Sequence, residues 1–166
     1  MEVIETPRLR LEPLAVSHAA ALFAGLQQPD IYRFIDELPP VSVAALEERY
    51  RRLSGGLSPD GRDRWLNWAL WWREAGEYAG YVQATVHADR TAEIAYVLFP
   101  DKQGRGLARE AVTAMIAHLR EHDDVTTLLA RVDPRNKRST ALLIALKFER
   151  APDPADSSDH LYQLTA

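Results

Sequence analysis

Between Trp65 and Leu119 the apolar residues of this chain change period, and that change restricts the fold more than any other feature. Trp65 to Trp72 is rich in Trp and Leu, Gly76-Glu77 turns it into Tyr78 to His87, and Asp89-Arg90 turns that into Thr91 to Phe99. Apolar runs joined by such turns are the strands of an antiparallel meander. Then Ala108, Ala111, Val112, Met115, Ile116 and Leu119 fall at i, i+3, i+4, i+7, i+8 and i+11, one face of a helix. A β-branched and Leu-rich strand at Thr126 to Val132 follows. Thr91 to Val132 is therefore a strand-helix-strand crossover.

The flanks are simpler. Arg8 to Glu12 alternates polar and apolar as a half-buried strand does. Ser17 is placed to N-cap an Ala-rich helix with Leu22, Phe23 and Leu26, and Ser42 a second one with Leu46, Tyr50 and Leu53. Pro29 to Pro40 is irregular. A last helix is expected over Ser139 to Leu146, then two strands, Phe148 to Ala151 and His160 to Leu164, joined by the acidic loop Asp153 to Asp159. The mixed order argues for an α+β or mixed α/β fold. Its sheet is mostly antiparallel, flanked by helices, with a single crossover. At 166 residues the chain is expected to form one domain, 1–166.

Composition removes several classes of chemistry. There is no Cys, hence no thiol nucleophile, redox pair or disulfide framework, which suits a reducing, cytoplasmic setting. No apolar run reaches the length of a membrane span, and the acidic start Met1-Glu2-Val3-Ile4-Glu5 is unlike a signal peptide. His118 and His122 stand at i, i+4 but lack an evident third ligand, so no metal is expected. Residues 61–148 carry a net charge of +2 while the segments on either side each carry −3. A locally basic surface on an acidic protein suits a small polyanion better than a length of nucleic acid, and equally suits solvation.

The crossover contains Leu98-Phe99-Pro100-Asp101-Lys102-Gln103-Gly104-Arg105-Gly106-Leu107-Ala108. A strand runs into a short loop with two glycines and opens a helix. The first turn of a helix has N–H groups without intrahelical partners and about half a positive charge from the macrodipole. Glycines let a phosphate approach those amides, and Lys102, Arg105 and Arg109 add charge. A pyrophosphate site is expected. The same two glycines would also serve a plain tight turn. The partial Gly-x-Gly suggests a dinucleotide fingerprint, but Arg109 stands at the third glycine position and only one crossover is present.

Gln103-x-x-Gly106-x-Ala108 resembles the acyl-CoA loop of the GNAT superfamily of N-acetyltransferases. Thr6-Pro7-Arg8-Leu9-Arg10-Leu11, Glu93-Ile94-Ala95-Tyr96-Val97-Leu98 and Asn136-x-x-Ser139 with Leu142 and Phe148 are similar, in order, to the branch that acetylates ribosomal-protein N-termini. The resemblance implies a GNAT-like acyl-CoA N-acyltransferase fold with acetyl-CoA as co-substrate. It implies that the strand of Tyr96, Val97 and Leu98 splays from its neighbour and pairs with the pantetheine arm of CoA. The amides of Gln103, Gly104, Arg105, Gly106, Leu107 and Ala108 would hold the pyrophosphate, with Arg109 beside them, and Asn136 would contact the pantetheine or adenosine side. Arg135, Lys137 and Arg138 are candidates for the ribose phosphate or plain surface charges. Two positions depart from the family pattern. Leu143 stands where many relatives have the Tyr that protonates the thiolate, and Lys147 stands where a Gly ends the helix.

Direct acetyl transfer needs a neutral amine, a polarised carbonyl and a proton for the thiolate. An α-amine is roughly a tenth neutral at pH 7, while lysine is far less so, so a weak base serves an α-amine more easily. Glu93, matching a glutamate of the related branch, is the candidate base or else a salt-bridged strand residue. Ser139 is the candidate acid, the N-cap of the last helix, or both. A strand amide near Val97 or Leu98 would polarise the carbonyl. Trp65, Trp68, Trp71 and Trp72 are expected to pack the core, with one or two lining an acceptor groove. Asp36, Glu37, Glu47 and Glu48 are either solvated or attract a cationic acceptor. The expected activity is N-acetyl transfer to a small-molecule or peptide amine, in a monomer or homodimer, without nucleic acid or membrane. A CoA-binding sensor without catalysis and a dinucleotide-binding domain are the alternatives.

Overall fold

A computed structural model describes residues 1–153 and 157–165. In these residues eight strands form one sheet: β1 (Ile4–Glu5), β2 (Leu9–Pro13), β3 (Arg64–Trp72), β4 (Glu77–Val86), β5 (Thr91–Leu98), β6 (Thr127–Val132), β7 (Glu149–Arg150) and β8 (His160–Thr165). Their spatial order is β1-β2-β3-β4-β5-β6-β8-β7. Every neighbouring pair is antiparallel except β5 and β6, which the crossover makes parallel.

Among the described residues four α-helices cover the sheet: α1 (His18–Phe23), α2 (Val43–Leu53), α3 (Leu107–His122) and α4 (Lys137–Ala145). The helical face read from the sequence is the one that packs. Ala111, Val112, Met115, Ile116 and Leu119 of α3 are buried with Leu143 of α4 against one face of the sheet. Leu22 of α1 and Leu46 and Tyr50 of α2 are buried on the other face, with Ala69 and Phe99. A fully buried side chain such as Leu119 or Leu46 stabilises the fold by about 1.5–3 kcal/mol. The result is helices on both faces of a sheet, the mixed α/β architecture expected.

Several local expectations need correction. Ser42 Oγ does accept from the Ala45 N–H at 3.1 Å and caps α2. Ser17 makes no cap bond, because its own backbone is already helical, and Leu26 lies in a separate 3₁₀ turn. The irregular stretch from Pro29 holds a 3₁₀ turn, Pro29–Arg33. Ser139 does not cap the last helix. Asn136 does, its side-chain oxygen accepting from the Ser139 N–H at 3.1 Å, and α4 begins two residues earlier than expected. Trp68 and Trp72 are core residues, but Trp65 and Trp71 are only half-buried on the opposite face. The strand expected over Phe148 to Ala151 shrinks to β7. The acidic loop Asp153 to Asp159 lies partly outside the described residues.

Lys147 has φ of +70°, the left-handed conformation that a glycine would hold more easily. The helix end is kept without the preferred residue. Its N–H bonds to the Ile144 carbonyl, and Phe148 N–H returns to Leu143.

Candidate active site

Strands β5 and β6 pair only at Thr91, Ala92 and Glu93 with Thr127, Leu128 and Leu129. Beyond Glu93 they part. From Ile94 to Leu98, β5 stays bonded to β4 alone, while Ala130 to Val132 of β6 bond only to β8. One edge of β5 thus offers main-chain groups without a strand partner at Tyr96 and Leu98, the Leu98 carbonyl being taken by Gln103, while those of Val97, contrary to expectation, face β4. Backbone groups in such a position need a partner from water or from a ligand. At the far end of this opening β4 approaches β5 so closely that a Cβ on Gly80 would lie 1.9 Å from the Val97 carbonyl oxygen. Only glycine fits there, at a register shift in the β3–β4 pair.

The opening leads to the glycine loop. Gly106 has φ of +77°, stands at the N-cap of α3 and provides no capping side chain. The first helix bond runs from the Glu110 N–H to the Gly106 carbonyl at 3.1 Å, so the amides of Leu107, Ala108 and Arg109 precede it. Gly104, Arg105, Gly106 and Arg109 are exposed. Gln103 ties the loop down: its amide donates to the Leu98 carbonyl at 3.0 Å and accepts from Arg138 at 2.7 Å. Among the charges expected to face a phosphate, Lys102 instead pairs with Glu77 and Asp101, and Arg105 stacks over the Trp72 ring with its guanidinium carbon 5.3 Å from the ring centroid. Arg135 pairs with Asp133, whose carboxyl it holds down at about 2, and Lys137 donates to the Pro134 carbonyl. Arg138 is the cation of that group that touches the loop.

At the apex of the opening Glu93 is half-exposed and its carboxylate accepts from Arg131 Nε at 2.9 Å. Across the opening, Tyr96 Oη lies 2.7 Å from Ser139 Oγ on the first turn of α4. Burial raises the Tyr96 phenol to about 12, against the opposing pull of its bond to Ser139. Leu143 is fully buried in the core, so no acid stands at that position.

Register extends the site across the other face of the sheet. Trp65 pairs with Thr85, and Thr85 with Glu93, so the three share one rung about 10 Å long. Trp65 lines a cleft of 420 Å³ together with Glu37, Leu38, Arg49, Arg52 and Leu53. Glu37 accepts from Arg49 at 3.0 Å. Burial, helped by the Glu37 charge, raises the phenol of Tyr81 on the neighbouring strand, and burial likewise raises that of Tyr50. Glu48 pairs with Arg51 and Arg52, consistent with a solvated helix charge. His118 and His122 stack on each other at 4.4 Å, and His118 also packs edge-on to Trp68. Among the described residues no three His, Cys, Asp or Glu gather as a metal site.

Two parts of this arrangement had no readable signal in the sequence. The Tyr96–Ser139 contact joins residues 43 positions apart, and the Arg8–Glu110 pair joins residues 102 apart. Tyr96 and Arg8 each belong to a family-like motif, but nothing in its spacing shows what their side chains meet.

A family model described as an acetyltransferase (GNAT) domain matches residues 8–149. The chain belongs to the GNAT acetyltransferase family. This GNAT chain is 25% identical over 152 residues to the uncharacterized N-acetyltransferase p20 of Bacillus licheniformis, covering 90% of this chain and 84% of the relative. A solved acetyltransferase from T. thermophilus is 26% identical with a TM-score of 0.77, covering 99% of this chain and 89% of that one. RimL, a ribosomal-protein alpha-N-acetyltransferase solved in complex with coenzyme A, shares the fold at a TM-score of 0.82 and 19% identity, over 99% and 98% of the two chains. The GNAT protein is an N-acetyltransferase, and the dinucleotide-domain alternative is set aside. No helix among the described residues is long and apolar enough to cross a membrane.

Proposed function

We propose that this GNAT enzyme takes acetyl-CoA as donor and an α-amine as acceptor, the amine entering along the Trp65 cleft toward Glu93. The observation that carries the reading is the parting of β5 from β6 after Glu93, opening directly onto the exposed glycine loop. An extended arm with a diphosphate at one end fits that shape: unpaired strand edge first, free helix amides next. Acetyl-CoA supplies the activated acyl group, a thioester carbonyl.

The chain's own residues then do four things. The amides from Gln103 to Ala108, with Arg109 and Arg138 alongside, bind the diphosphate. The free edge at Tyr96 and Leu98 orients the arm, and an amide there polarises the carbonyl. Ser139 Oγ, with Tyr96 Oη behind it at 2.7 Å, holds a proton for the departing sulfur. Glu93, through water, takes the proton from the amine. A carboxylate is a weak base by its chemistry, which favours an acceptor that is already partly neutral. RimL acts on an α-amine of a ribosomal protein, and that precedent supports the same acceptor class here.

Thiol release from acetyl-CoA, measured with peptides bearing a free α-amine, with the same peptides blocked at the N-terminus, and with lysine-containing and polyamine acceptors, tests the reading. Turnover confined to free N-termini supports it. Turnover with blocked, lysine-bearing peptides at equal rate overturns the acceptor class, and CoA binding without turnover across the panel overturns the activity.

A further inference from the structure

Arg8 lies at the entry to β2, far in sequence from the glycine loop, yet its side chain ends on that loop. Its Nη1 donates to the Arg105 carbonyl at 2.7 Å. Its Nε donates to Glu110 Oε2 at 2.7 Å and its backbone N–H to Glu110 Oε1 at 2.8 Å. The same carboxylate accepts from the Thr6 hydroxyl at 2.7 Å. Glu110 sits in the first turn of α3. One guanidinium therefore joins the start of β2, the first turn of the helix and a peptide of the loop.

That peptide is the one between Arg105 and Gly106. In a planar trans peptide the C=O and the following N–H point in opposite directions. Holding the Arg105 oxygen against Arg8 sets the Gly106 N–H facing away from it. Among the described residues no other hydrogen bond holds the Arg105 carbonyl or the Gly106 N–H. Gly106 tolerates either sign of φ, so the peptide preceding it can turn over at little steric cost. Turned over, it would present a carbonyl oxygen where the diphosphate reading requires a donor. The Gly106 position is also near enough for contact: a Cβ there would lie 3.4 Å from Arg8 Nη2.

We infer that Arg8 is a positioning residue for the diphosphate site: it fixes the orientation of the Arg105–Gly106 peptide so that the Gly106 amide donates to the bound anion. The inference rests on the acetyl-CoA reading above. It assigns Arg8 no contact with the reacting atoms, so its effect belongs in donor binding and is absent for a donor that lacks the diphosphate.

The experiment is a comparison of donors across Arg8 variants. Calorimetric titration gives Kd for CoA, and kcat/KM is measured with acetyl-CoA and with acetyl-pantetheine, which has the thioester and arm but no diphosphate. Arg8→Ala should weaken CoA about tenfold, the scale of one hydrogen bond to a charged group, raise KM for acetyl-CoA by a similar factor and leave kcat nearly unchanged. Its kcat/KM with acetyl-pantetheine should match the wild type, a result that general damage to the fold would not give. Arg8→Lys keeps the positive charge but not the planar fork that serves Glu110 and Arg105 together. It should keep thermal stability near that of the wild type and lose CoA affinity as the alanine variant does. Wild-type affinity in Arg8→Lys overturns the inference, since charge alone would then suffice. Equal losses with both donors in Arg8→Ala overturn it as well. A wild type that uses acetyl-pantetheine as efficiently as acetyl-CoA removes the diphosphate reading itself, and this inference with it.

Discussion

Tyr96 and Ser139 place their hydroxyl oxygens 2.7 Å apart, joining the free stretch of β5 to the first turn of α4. The pair stands where Leu143, buried in the core, can supply no proton. With its phenol raised to about 12, Tyr96 keeps its proton throughout the working range and can only donate or relay. Ser139→Ala is expected to lower kcat by about 10²-fold or more, with little change in KM for acetyl-CoA. Tyr96→Phe should cost less, because Ser139 remains. Neither residue should add a limb to the pH–rate profile below about pH 10. Steady-state kinetics from pH 6 to 9 check all three statements.

Glu93 is joined to Arg131 at the apex of the opening, and the two partners separate its roles. If Glu93 takes the amine proton, Glu93→Gln lowers kcat by about 10²–10⁴-fold. Arg131→Ala leaves the carboxylate in place and should preserve kcat. The pair is well exposed, so its loss should cost no more than about 1 kcal/mol of stability. Wild-type kcat and an unchanged pH–rate profile in Glu93→Gln would remove it from the mechanism.

Lys147 holds φ of +70° after the last turn of α4. Lys147→Gly removes the clash of a Cβ in that conformation and is expected to stabilise the protein by about 1 kcal/mol. In a chain of this size that raises Tm by roughly 2–4 °C. Calorimetry gives the answer, and a lower Tm would show that the lysine side chain contributes more than its backbone costs.

Glu110 makes stability depend on acidity. Partial burial works against its ionised form, but the Thr6 hydroxyl, the Arg8 N–H and the Arg8 guanidinium outweigh it and hold the carboxyl below its ordinary 4.5. A carboxyl lowered by folding contributes stability above the unfolded value and loses it as pH falls through the folded one. Glu12 is lowered in the same direction: burial opposes, and bonds from Tyr78, Arg10 and His18 prevail. Tm should therefore fall as pH drops from 5 to 3. Glu110→Gln should lower Tm at pH 7 and make the acid decline shallower. Parallel declines for wild type and variant would contradict the assignment.

Much of this fold was legible because its signals are local. The apolar runs and turns from Trp65 to Phe99 and the helical face from Ala108 to Leu119 are each signals between near neighbours in the chain, and the two-glycine loop marks their junction. The resemblance then gave the parting of β5 and β6, which the observed register reproduces. Ser17 misled because a Ser before an Ala-rich run is a good cap only if its own backbone is extended, and here it is helical. Asn136 and Ser139 lie three residues apart and both can cap, so sequence alone did not say which one would. The charges of Lys102 and Arg105 were legible as charges, but their partners Glu77 and Trp72 come from β4 and β3 and only the assembled sheet brings them near. The contacts that orient the site, Arg8 with Glu110 and Tyr96 with Ser139, are long-range pairs with no periodicity to reveal them.

The central claim is that the main-chain donors around Gly106 hold the diphosphate of CoA. Calorimetric titration of CoA into the wild type and Gly106→Val tests it most directly, since a β-branched side chain is strained at φ of +77° and crowds the anion while the exposed loop leaves the core untouched. The account predicts saturable binding to the wild type and affinity reduced at least a hundredfold in the variant, which still unfolds cooperatively. Equal affinity in the two proteins would contradict it.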